Sequence, residues 1–272
     1  FMFVIILQTF MHWMDILMLG YFTNATTVGL YHPAARTAGL LQALLMSFIS
    51  IYAPMISQFH SEKNLIKMNN TYKMVTRWLL LFSIPIAIIF IIFPGNILSL
   101  FGKEYIASAD VLIILTIATL LQAVSGAASP TLGMSGFTRI VLFNTIFAFI
   151  LNFGLNYNLI PNYGINGAAY ATLITLIIIG SVRTIQVHFL LKMNFFSFKL
   201  LKPLASGIAT YYAIIGLKPF LSNFNFLVEL LIALPVCMLI YTLIMFIMKL
   251  DEEDRSFISS LGIIKKGLKR NR

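Results

Sequence analysis

A chain of 272 residues with 59% hydrophobic side chains and only 10% charged ones is too apolar for a water-soluble domain of its size, whose surface-to-volume ratio leaves nowhere to bury them. Lipid is the solvent that fits. The net charge of +10 would suggest a nucleic-acid partner in a soluble protein; here the placement of the charges matters more than their sum. The single cysteine, Cys237, sits in an apolar run with no partner for an internal disulfide or a metal site, and reads as a core or lipid-facing residue.

Apolar runs between polar or Gly/Pro breaks predict an all-α membrane protein of about eight transmembrane helices. The first covers residues 1–22, with no basic n-region and no small-residue cleavage site, so it does not read as a signal peptide. After a turn at 23–27, the second runs over 28–59. The polar, basic stretch 61–77 is expected to lie as a helix along the interface. The third span, 78–93, ends at Pro94-Gly95, and 96–105 reads as a short re-entrant or interfacial piece. The fourth covers 107–134 with a break near Gly126 to Pro130, and the fifth covers 139–160, ended by Pro161. The sixth, seventh and eighth cover 165–191, 200–217 and 226–248. A β-barrel would need alternating polarity, and runs such as Leu79-Leu80-Leu81-Phe82 do not alternate.

Positive charge supports this count. Fifteen of the nineteen Lys and Arg fall at one set of helix ends: the loop with Lys63 to Arg77, Arg139, the loop with Lys192 to Lys202, and the C-terminal tail from Lys249. Only Lys103 and Lys218 fall at the other, and Arg36 and Arg183 lie within spans. Such asymmetry predicts that the basic ends, and both termini of this chain, face the cytoplasm.

Ionisable groups at bilayer depth are costly, which makes each a functional candidate. Arg36 lies about nine residues, or ~13 Å of rise, into the second helix. It either binds an anion such as phosphate, which its planar fork suits, or pairs with Asp15 of the neighbouring helix. Arg183 either snorkels to the basic loop or serves as a second anion-binding cation. Asp15 is a structural anchor or an ion-coupling carboxylate, and Asp110, near the outer end of the fourth span, is a second coupling candidate. His12 and His188 lack ligand partners at metal spacing, and Glu229 suits a helix N-terminus.

Among uncharged groups, Asn152 and Asn156 share a helix face four residues apart, with Asn144 close to the same stripe, and Gln122, Ser125 and Ser129 form a polar face on the fourth helix. These residues either cross-link helices or line a polar cavity. Pro33, Pro54, Pro85, Pro130 and Pro235 invite kinks, while Gly126, Gly133, Gly136, Gly164, Gly167 and Ala171 allow close helix contacts, a combination that suits a protein that changes shape. No Gly-rich phosphate loop, metal cluster or nucleophile elbow is present, so neither an enzyme nor a cofactor is expected. The tail, with Lys265, Lys266, Lys269, Arg270 and Arg272 beside Phe257, Ile258, Leu261, Ile264 and Leu268, predicts an amphipathic segment on anionic membrane lipids and no nucleic-acid contact.

Three segments carry a family resemblance. The run from Asp15 through Gly20-Tyr-Phe, followed by Val28-Gly29-Leu-Tyr31 and Ala34-Ala35, resembles the seventh and eighth helices of polysaccharide-biosynthesis flippases. Phe93-Pro94 with Leu98-Ser99-Leu-Phe101-Gly102-Lys-Glu-Tyr105, Ala109 and Leu112 is similar to their loop between the ninth and tenth helices. Asn152, Asn156, Ile160-Pro161, Tyr163-Gly164-Ile165 and Gly167-Ala168-Ala169 to Ala171-Thr172 resemble a later segment. These are the O-antigen, or oligosaccharide-lipid, flippases of the multidrug/oligosaccharidyl-lipid/polysaccharide exporter superfamily. The resemblance covers residues 1–192; the last two spans agree only in hydropathy.

The resemblance implies a two-lobed transporter. Residues 1–192 would be its six-helix C-terminal lobe, 193–250 two additional helices and 251–272 a basic cytoplasmic tail, with an N-terminal lobe of the same protein missing from this chain. It also implies a protein of the cytoplasmic membrane that moves polyprenyl-phosphate-linked oligosaccharides across it by alternating access, for surface polysaccharide biosynthesis. The substrate site would lie in a basic cavity between lobes. Arg36 and Arg183 would bind substrate there, with Asn152, Asn156 and Gln122 as polar lining. The alternatives are a cation-coupled multidrug exporter of the same superfamily, with Asp15 or Asp110 carrying the ion, and a non-transporting membrane subunit of a glycan-assembly complex.

Overall fold

The computed structural model describes residues 2–221 and 225–248; the amphipathic tail expected at 251–272 lies outside the described residues. The fold is a helical bundle: α1 (Met2–Phe22), α2 (Ala25–Ser61), α3 (Leu65–Ile92), the short α4 (Pro94–Ser99), α5 (Ala109–Ser125), the short α6 (Ala128–Met134), α7 (Thr138–Leu191), α8 (Leu201–Leu221) and α9 (Phe226–Ile247), with 3₁₀ turns at Lys103–Ser108 and Phe198–Leu200. Asn24 starts α2 by accepting from the Thr27 amide at 2.9 Å, and Asn64 starts α3 by accepting from the Lys67 amide at 3.0 Å. Proline 94 opens α4 in the first turn, where its missing N–H costs nothing.

Among the described residues seven helices are long and apolar enough to cross a membrane. One of them, α7, has 54 residues, or ~81 Å of rise, far beyond a ~30 Å hydrocarbon core. It doubles back at Gly164 (φ 56°, ψ −130°), a backbone conformation that disfavours a side chain. The two limbs then run antiparallel: Asn144 and Gln186 exchange side-chain amide bonds at 2.6 and 3.0 Å, forty-two residues apart. Counting its two limbs separately, the described residues hold eight helical segments of spanning length, the number expected. Proline 161 stays inside the helix instead of ending it; the reversal comes three residues later, where glycine permits it.

One further boundary differs from expectation. The basic stretch before the third span does not lie apart as an interfacial helix. It is the first half of α3, continuous through Trp78. Its stripe Met68, Tyr72, Val75 and Leu79 is buried, so packing holds it in one continuous helix with the span. The fourth span does break near Gly126, into α5 and α6.

The core is built around α3 and α5: α5 packs on α2, α3 and α7, and α1 packs on α7. Tyr52, Tyr72, Leu79 and Leu112 are fully buried within it. Close approaches use glycine: a Cβ on Gly180 would strike the Ser125 hydroxyl, and one on Gly207 would stand 2.6 Å from Ile84. Helices α8 and α9 pack on each other and on α3. The basic loops meet at one end of the bundle, where the Asn194 amide donates to Asn69 Oδ1 at 3.0 Å. At the other end Lys218 Nζ donates to the Ile92 carbonyl at 3.0 Å. The sorted charges of the sequence are therefore sorted in space.

Candidate functional site

Helices α1, α2, α5 and α7 enclose a cavity of about 700 Å³. Five of the seven site residues expected from sequence line it: Arg36, Arg183, Gln122, Asn152 and Asp15. Gln8, His12, His32 and Gln42 add polar groups, and Leu115, Leu176 and Ile179 an apolar side. This mixture of apolar wall and converging polar groups is what small-ligand sites show.

Each cation is held differently. The Arg36 Nε donates to His32 Nε2 one turn earlier, at 3.3 Å, and its guanidinium lies 5.7 Å from the centroid of Trp13 on α1. Arg36 is exposed and lines the cavity. The expected alternative, an Arg36–Asp15 ion pair, does not form, because the Asp15 oxygens are taken up by other donors. Arg183 lies on the second limb of α7. Its Nε is buried in the cavity wall without a hydrogen-bond partner. An orphaned guanidinium N–H in a low-dielectric site favours an anion strongly.

Asp15 is the centre of the polar network. It is only 9% exposed. Tyr31 Oη and Thr172 Oγ1 donate to its Oδ2 at 3.0 and 2.7 Å, and Asn156 Nδ2 donates to its Oδ1 at 2.8 Å. Asn156 Nδ2 also reaches Asn152 Oδ1 at 3.1 Å, and Asn152 Nδ2 faces Thr175 Oγ1 at 3.5 Å. The network ties α1, α2 and both limbs of α7 together. Asn156 Oδ1 is left buried with no partner. Tyr31, Thr172 and Asn156 turn O–H and N–H groups toward the Asp15 carboxylate, so it stands as the shared acceptor of three helical segments. Asn156 itself sits behind the cavity wall, fully buried.

The other candidates lie elsewhere. Asp110 is exposed in the first turn of α5, following the 3₁₀ turn at the less basic end, and the structure does not bring it to Asp15. Glu229 accepts from Asn96 Nδ2, a partner on α4 that sequence spacing did not indicate. His188 is exposed beside Phe189. Cys237 is fully buried, its thiol 3.6 Å from the Pro85 carbonyl. Sequence reasoning missed Tyr31, Thr172 and Thr175, which hold the asparagines and Asp15. Tyr31 and Thr172 fell inside resembling segments, but hydroxyl positions carry no signal of which helix they face.

Residues 1–158 match the MatE family model. The chain belongs to the MatE family. The sequence resemblance to oligosaccharide-lipid flippases of its superfamily is borne out by relatives. This MatE chain is 27% identical over 240 residues to the probable low-salt glycan biosynthesis flippase Agl15 of Haloferax volcanii, covering 86% of this chain and 50% of that protein. It is 27% identical over 180 residues to the probable flippase AglR of the same organism, covering 64% and 37%. In fold it is similar to the lipid II flippase MurJ in an inward closed conformation: TM-score 0.75, 19% identity, 90% of this chain and 52% of that one. A MOP superfamily transporter from Pyrococcus furiosus matches with a TM-score of 0.53 and 17% identity, over 82% of this chain and 53% of that one. The MatE chain thus spans about half the length of these proteins.

Proposed function

We propose that this chain is the C-terminal lobe, with two trailing helices, of a flippase that moves polyprenyl-phosphate-linked oligosaccharides across the cytoplasmic membrane by alternating access. The observation that carries this reading is the single cavity that holds Arg36 together with the orphaned Arg183 Nε. Two cations there suit a phosphate or diphosphate group, and the amides Gln8, Gln42, Gln122 and Asn152 suit sugar hydroxyls. The glycan-flippase names of the two Haloferax relatives support the substrate class. The basic end of the bundle faces the cytoplasm in this reading, so both termini of the chain do too, and membrane lipids surround the rest. The lobe that would close the cavity belongs to the same protein.

Asp15 is the proposed coupling group. An ion bound at Asp15 would compete with the donors that reach it from α2 and α7, linking ion binding to the shape of the cavity wall.

Transport of a fluorescent polyprenyl-diphosphate glycan by the full-length protein in proteoliposomes tests both assignments. Arg36→Ala and Arg183→Ala should each abolish or strongly reduce transport while the protein stays folded. Undiminished transport in both would remove the cavity from the mechanism. Drug efflux without glycan transport would favour the exporter alternative.

A further inference from the structure

Arginine is a long side chain, and it loses rotamer freedom on closing around an anion unless something has ordered it beforehand. At Arg36 two neighbours do so. His32, one turn earlier on α2, accepts the Nε–H at 3.3 Å, and the guanidinium lies over the Trp13 ring of α1, 5.7 Å from its centroid. His32 and Arg36 both line the cavity.

Neither partner carries a negative charge. To accept from Arg36, the Nε2 of His32 has to be without a hydrogen, so the imidazole is the neutral tautomer protonated at Nδ1. The indole attracts the cation through its ring face alone. The cavity does hold a carboxylate, Asp15, which would have ordered Arg36 by neutralising it. Its oxygens instead accept from Tyr31, Thr172 and Asn156. Arg36 is therefore held in place with its charge undiminished. The bond at Nε also decides which edge it offers. With Nε engaged, the two terminal nitrogens face a ligand, an end-on fork that fits two oxygens of one phosphate. Arg183 is complementary, since its Nε is the atom left without a partner.

We propose that His32 is a positioning residue for Arg36: a neutral acceptor that orders the guanidinium end-on for the phosphate of the lipid-linked substrate without quenching its charge, a role that rests on the phosphate-binding reading of the cavity. Acceptor and charge then make separate demands at position 32. His32→Gln meets both, because its side-chain oxygen accepts and it is neutral. His32→Leu fails the first. His32→Glu accepts well but pairs with Arg36 and repels phosphate, so it fails the second.

Equilibrium binding of a short-chain fluorescent prenyl-diphosphate glycan to the full-length protein in nanodiscs, with thermal unfolding of every variant, tests this. His32→Leu should weaken binding several-fold, His32→Gln should restore most of that affinity, and His32→Glu should weaken binding about tenfold or more. His32→Gln and His32→Glu match in size, so the gap between them reads charge and should narrow at high salt. That comparison stands even where His32→Leu unfolds. A residue that merely propped up α2 would tolerate His32→Glu as well as His32→Gln. In an Arg36→Ala background His32→Leu should cause no further loss, because its effect passes through that arginine. Wild-type affinity in His32→Leu, equal affinity in His32→Glu and His32→Gln, or a His32→Leu loss that persists without Arg36 overturns the positioning role. If Arg36→Ala itself binds at full strength, the phosphate reading of the cavity falls and the role of His32 falls with it.

Discussion

Asp15 takes three hydrogen bonds in a buried site, and both of its oxygens are used as acceptors. In Asp15→Asn one of those positions becomes an NH₂ that faces a donor, leaving buried groups unsatisfied at a cost of about 1–3 kcal/mol. The substitution also removes the charge that would hold a cation. We expect Asp15→Asn to keep the fold, lower its melting temperature in detergent, and make transport insensitive to the imposed cation gradient. Coupling that survives the substitution would assign it elsewhere. At Arg183 the geometry discriminates between charge and fork. Arg183→Lys keeps the charge but loses the buried Nε–H, so it should recover only part of the activity lost in Arg183→Ala. Much at this scale was legible in the sequence. Arg36, Asp15 and Arg183 stood out because ionisable groups are rare in lipid, and the asparagine stripe stood out by its i, i+4 spacing. Which donor each one meets was not legible. Helix rotation decides that Asp15 meets Thr172 instead of Arg36, and Thr172 is 157 residues away in sequence.

At the scale of elements, α7 is the informative one. Its reversal was readable as two spans but its location was not, since proline is the stronger breaker in sequence and glycine does the turning here. The loop-facing half of α3 was misread for a related reason: its polar side is conspicuous in sequence, while its buried side only becomes so once α2 and α5 are in place. The turn of α7 yields a contrast. A Cβ on Gly167 would collide with the Leu159 carbonyl, and Gly164 holds a positive φ, whereas nothing lies within 4 Å of a Cβ on Gly154. Gly167→Ala and Gly164→Ala should each destabilise the protein by about 1–3 kcal/mol, and Gly154→Ala should be neutral or slightly stabilising. Thermal unfolding in one detergent, with all three variants side by side, checks this. The Asn144–Gln186 pair gives a second contrast between the limbs. Asn144→Leu alone strands the half-buried Gln186 amide, while Asn144→Leu with Gln186→Leu removes both partners, so the double variant should be the more stable of the two.

For the whole molecule, the sequence and the structure converge on the sorting of charge. The start of α3 with Lys67 and the connection after α7 with Lys192 sit at one end of the bundle, joined by the Asn194–Asn69 bond, and Lys103 and Lys218 belong to the other end with α4 and the start of α9. An insertion rule that acts on the chain before it folds has therefore produced a folded bundle with two electrically distinct faces. The sidedness can be measured directly. Cys237 is fully buried and should be silent toward a membrane-impermeant maleimide, which leaves the protein a clean background for introduced thiols. In right-side-out membrane vesicles, Lys103→Cys and Lys218→Cys should label from outside. Lys67→Cys and Lys192→Cys should label only after the vesicles are opened. Eight passes require all four results together. Seven passes, with α7 crossing once, would put Lys192 and Lys218 on the sides opposite to those expected while leaving Lys67 and Lys103 unchanged. The labelling of Lys192 thus decides whether the bend at Gly164 returns the chain through the membrane.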